Sequence, residues 1–119
     1  MTTSPLASAM DRSAFHLRSS STQNNWGGDE TSTLSVLNSA LPMRVEWREG
    51  IGARWDIWVF DETSGVEIGD FMLLDVDDLA LIVTRVARYT NLSGDFHHFE
   101  IVTEEHEHSV ADLKTAAGI

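Results

Sequence analysis

Cysteine is absent from this chain of 119 residues. Without a thiol there is neither a disulfide framework nor a thiolate metal site. The absence suits a reducing compartment, and a cytoplasmic location is expected. Lysine is nearly absent too. Lys114 stands alone beside seven arginines, so 8 cations face 19 acids and the net charge is −11. Such a chain lacks the basic face that phosphates require, which argues against direct nucleic-acid binding and against an anionic membrane surface. Long apolar runs are missing as well. No stretch reaches the ~18 residues needed to span a bilayer, and the N-terminal residues show neither the basic nor the apolar part of a secretory signal.

Catalytic signatures are equally scarce. Gly50-Ile51-Gly52 lacks the third glycine and the following helix of a phosphate cradle. The serines concentrate in a stretch where no nucleophile could be held. Asp75, Asp77 and Asp78 read as helix-capping residues, and Asp61 and Glu62 as a loop, rather than as an acid–base pair. The expectation is a protein that is not an enzyme and needs no cofactor.

Residues 1–42 differ in composition from the rest of the chain. Fourteen of the first 39 residues are Ser or Thr, and Ser19 to Asn25 has linker composition. This segment reads as an arm, flexible or docked on a partner and dispensable for folding. It carries two large anchors, Phe15 and Trp26. Residues 43–119 read as a single domain. Met43, Val45 and Trp47 alternate with charged residues in a half-buried strand. A second strand spans 54–60, a third 66–74 with a bend at Gly69, and a fourth 96–103. Between the last two, Leu79, Ile82, Val83, Val86 and Tyr89 fall on one stripe of a 3.6-residue period, which predicts the main helix from Asp75 to Gly94. A short last helix is expected over 110–117, with Ser109 and Asp112 as its capping pair and Gly118 as its stop. The order β-β-β-α-β-α implies an α+β two-layer sandwich. Its four-stranded, mostly antiparallel sheet would have strand order 3-2-1-4, with the main helix on one face.

Two places suggest function. His106 and His108 share one side of a continuing strand, with Glu104 in phase, and could supply metal ligands. Trp58 and Phe60 lie on the sheet face opposite Trp55, Ile57 and Val59, where aromatics need a cover. With Trp26 and Phe15 they are the candidate partner-binding residues. The leading expectation is a small acidic interaction module: an inhibitor, immunity-like or regulatory protein, or an assembly subunit. It would bind a basic protein surface or self-assemble. The alternatives are a metal-binding protein using His106 and His108, and a DNA mimic, whose carboxylates would have to reproduce phosphates spaced one charge per ~1.7 Å of axis.

Overall fold

The computed structural model describes residues 12–22, 31–48 and 54–119. Its elements are β1 (Arg12–Thr22), β2 (Thr31–Arg48), β3 (Arg54–Val59), β4 (Phe71–Leu74), β5 (Leu79–Thr90), β6 (Phe96–Glu105) and α1 (Val110–Ala117). The six strands close into an antiparallel barrel in the order β1-β2-β3-β6-β5-β4. Hairpins join β1 to β2, β2 to β3, β4 to β5 and β5 to β6. The segment 60–70 crosses from β3 to β4, which makes the last four strands a Greek key.

This overturns the expected sandwich. The main helix does not exist: Leu79–Thr90 is a strand paired with β4 on one side and β6 on the other. Its apparent helical stripe has two physical sources. Leu81 and Val83 point into the barrel at period two, with Leu79 packed on the same core. The register then slips between Val83 and Arg85, and after this bulge Val86 returns to the interior. Meanwhile Ala80 and Ile82 face outward yet are covered by α1. A strand buried on both faces and interrupted by a bulge reproduces i, i+3, i+4, i+7. The local composition fits a strand, since Ile82, Val83, Thr84, Val86, Tyr89 and Thr90 are β-branched or aromatic. The supposed helix cap is a four-residue hairpin turn between the paired Leu74 and Leu79. In it Asp78 takes φ 52°, a left-handed value that aspartate tolerates better than most residues.

The stretch expected to be an arm supplies β1 and most of β2. The ten-pair ladder between them carries two register shifts, and β1 closes the barrel against β4 through Phe15↔Leu73, His16↔Met72 and Leu17↔Phe71. The predicted order 3-2-1-4 also fails, because β6 lies beside and antiparallel to β3 rather than beside residues 43–48. The third strand is shorter than expected: residues 66–70 lie outside the strand, with a turn at Ile68-Gly69 and Gly69 at φ 92°. The strand readings at 43–48 and 54–60 match the ends of β2 and β3. The short helix lies where the sequence puts it. Ser109 Oγ accepts the Asp112 amide at 3.1 Å, and Gly118 ends it at φ 75°. The linker residues 23–25, the turn residues 49–52 and Trp26 lie outside the described residues.

Two apolar layers hold the barrel. Inside are Met43, Ile57, Met72, Leu74, Leu81, Val83 and Ile101, each at most 1 % exposed. Outside, α1 lays Val110 and Leu113 over Leu17, Phe71, Leu73 and Ala80, with Phe15 and Ile82 at the margin. β4 therefore has all four side chains buried, which explains its unbroken apolar run. Among the described residues no helix is long and apolar enough to cross a membrane.

One substitution and one deletion test this architecture. Val83→Asp places an unpaired charge in the barrel interior and should abolish the cooperative thermal transition. Deleting residues 1–30 removes β1 and unseals the barrel, so it should also yield an unfolded chain by near-ultraviolet circular dichroism. A truncated protein that melts cooperatively would mean that the β1–β4 seam is dispensable.

Candidate functional site

Three places gather polar or aromatic side chains. The first is buried. His16, 0 % exposed, projects from β1 towards the crossover segment. Its Nε2 lies 2.7 Å from Asp70 Oδ2. Arg18 donates from Nε to Asp70 Oδ1 and from Nη2 to Oδ2, both at 2.9 Å, a bidentate pair. The Glu67 amide donates to the same carboxylate at 2.8 Å. Asn38 on β2 donates to His16 Nδ1 at 2.8 Å and to the Ser64 carbonyl at 3.0 Å. These contacts define the imidazole: Nδ1 accepts, so Nε2 carries the proton that it donates to Asp70. Both ring nitrogens are occupied, and neither is open to take a proton from a nucleophile. The cluster is a clasp holding the crossover to β1 and β2. Burial alone would raise the Asp70 carboxyl, but hydrogen bonds from Arg18, His16 and the Glu67 amide outweigh it and hold Asp70 below its ordinary value. Its own bonds to Asp70 in turn raise Arg18.

The second place is the barrel end carrying the β4–β5 turn and the last residues of β6. Here Asp78, Glu105 and Glu107 line a cleft of about 180 Å³ together with His106 and His108. The two imidazole rings stand 5.1 Å apart. His106 Nδ1 accepts the His108 amide at 3.2 Å, and its ring meets the Phe71 edge at 5.0 Å. β6 ends at Glu105, so the strand that was to align Glu104 with both histidines stops short of them. Among the described residues, no three His, Asp or Glu side chains are grouped to hold a metal ion. Beside this cleft a larger cavity of about 430 Å³ opens between α1, Leu34 and Phe71, with both histidines on its wall.

The third place is the outer face of β3, β6 and β5. Trp58 lines a groove of about 140 Å³ with Arg54, Asp56, Arg85, Tyr89 and Glu100. Tyr89 stacks on His98 with ring planes 5° apart, and Phe60 approaches the same imidazole at 6.1 Å. Trp58 and Phe60 are thus brought together on one side of the molecule. Phe15 is not with them: it sits half-buried in the layer beneath α1, with Lys114 Nζ 5.3 Å above its ring.

Sequence reasoning passed over His16, Arg18 and Asp70. The only trace was two basic residues flanking Leu17 inside a serine-rich stretch. It also placed Tyr89 on a helix stripe, whereas the bulge in β5 turns it outward beside Trp58. Comparison with known proteins finds no matching family model, no matching curated protein and no matching solved structure.

The clasp has a testable pH signature. A carboxyl depressed in the folded state contributes stability that is present above its unfolded pKa of ~3.9 and is lost as pH falls through the lower folded value. Stability should therefore decline below about pH 4. Asp70→Asn should cost about 1.5–3 kcal/mol at neutral pH, because Arg18, His16 and the Glu67 amide lose a charged acceptor, and should flatten the acid limb in urea titrations. An unchanged acid limb would show that Asp70 is not the titrating group.

Proposed function

We propose that this protein is a small non-enzymatic interaction module that binds a basic protein surface through the acidic end of its barrel. The observation that carries the reading is the uneven distribution of charge. Asp75, Asp77 and Asp78 in the β4–β5 turn lie at the same barrel end as Glu104 and Glu105, the last residues of β6, and Glu107 just after it. Among the described residues two nearby cations offset them: Arg12 lies 3.0 Å from Asp77, and Lys114 lies 3.1 Å from Asp75. Six acids against two cations leave this end strongly negative. A cationic partner would be steered there and oriented on arrival. Inhibition, immunity or regulation of the partner are the roles such binding serves. The cytoplasm is the compartment in which we place it, on the absence of cysteine.

The test is recovery of partners from the native host with wild-type bait and with the triple variant Asp78→Asn, Glu104→Gln, Glu107→Gln. The wild type should recover a protein of high isoelectric point, and the variant should lose it. Affinity should fall several-fold as added salt shortens the Debye length from ~10 Å at 0.1 M to ~3 Å at 1 M. A partner held equally by the variant and at high salt would refute binding through this end.

A further inference from the structure

The outer face of β2, β3, β6 and β5 departs from the rest of this acidic molecule in coming close to electrical balance. Arg44, Arg54 and Arg85 face outward beside Glu46, Asp56, Glu100 and Glu104. Two pairs are made within single strands: Arg44 to Glu46 at 3.0 Å and Arg54 to Asp56 at 3.3 Å. Glu100 has the His98 imidazole at 3.3 Å, and Arg85 makes no ion pair with another described residue. Among these charges lie Trp58, Phe60, Tyr89 and Val102. Tyr89 is 44 % exposed. α1 packs over Leu17, Leu34, Phe71, Leu73 and Ala80, and none of the side chains of this face belongs to that layer.

We propose that this face is the contact between two copies of the chain, related by a two-fold axis that sets each Arg85 against the partner's Glu100. Of the acidic end, only Glu104 borders this contact. A chain of net charge −11 repels its own copies, so self-association needs a patch where the charges nearly cancel, and this face is one. An isologous contact must be self-complementary. An arginine on β5 beside a glutamate on β6 meets that condition, because the rotation brings each opposite the other's counterpart. A strongly basic partner would leave Arg54 and Arg85 facing like charge, and an acidic one would do the same to Asp56 and Glu100. The groove itself holds about 140 Å³. That is below the ~300–1,000 Å³ of small-molecule pockets but ample for one inserted side chain. Trp, Tyr and Arg, the residue types that dominate interface energetics, are among those that line it.

Charge reversal and mixing test the pairing directly. Light scattering coupled to size exclusion, run from micromolar to near-millimolar protein, should show the wild type at twice the 13.2 kDa chain mass. Arg85→Glu alone sets two carboxylates against each other across the axis, and Glu100→Arg alone sets two guanidinium groups against each other. Each variant should run at the single-chain mass, a twofold loss, while keeping the wild-type circular dichroism spectrum. An equimolar mixture of the two should recover the double mass, since each mixed pair then restores opposite charges in contact. A wild type that stays at the single-chain mass at every concentration overturns the proposal. So do single variants that remain double, or a mixture that stays single. None of these outcomes bears on capture of a basic partner by the acidic end, which the variants leave untouched.

Discussion

The barrel exists because three residue pairs seal it. Phe15, His16 and Leu17 on β1 meet Leu73, Met72 and Phe71 on β4, and without that seam the sheet is open with two bare edges. The seam is short, and what reinforces it is electrostatic. Asp70, one residue before β4, is gripped by Arg18 and His16 from β1. A carboxylate taken out of water so completely is tolerable only because donors surround it. The guanidinium, the imidazole and a backbone amide share that task. Asn38 in turn fixes the imidazole, so the clasp ties three separate stretches of chain to one point.

Single elements of this fold were legible in the sequence, but neither its class nor its closure. The alternation at 43–48 and 54–60 announced β2 and β3, and the Ser109–Asp112 pair with Gly118 announced α1. These are local signals whose cause lies within a few residues. β5 was misread because its burial has two sources, the barrel interior and the overlying α1. A single bulge at Thr84 then shifts the phase of the pattern. β1 was missed because its interior residues are few and its neighbours are serines. The stretch looked unable to form a core by itself, and it cannot: its apolar side chains are buried by elements more than fifty residues away.

The candidate sites were legible to a similar degree. Trp58 and Phe60 stood out because two aromatics on the wrong side of an amphipathic strand demand a cover. Their companions Tyr89, Arg85 and His98 depend on strand register, which no local pattern discloses. His106 and His108 do come together, yet the break in β6 after Glu105 removes the alignment with Glu104 on which a metal reading relied. The concentration of acid at one barrel end and its cancellation on one side belong to the fold. Net charge gives only their sum.

β4 carries a further consequence. Its sequence, Phe-Met-Leu-Leu, is apolar throughout and buried on both faces, and one of its two edges is covered by a strand that begins almost sixty residues earlier. During synthesis β1 emerges long before β4, so its second edge waits unpaired beside β2, and β4 in turn stays half-protected until β1 meets it. Contacts of such long separation form slowly, because the entropy of closing the loop is lost before any contact is gained. In that interval a sticky strand with a free edge is the natural template for pairing with another molecule. The strong negative charge then acts before folding is complete, because like-charged incomplete chains repel one another while each one closes on itself.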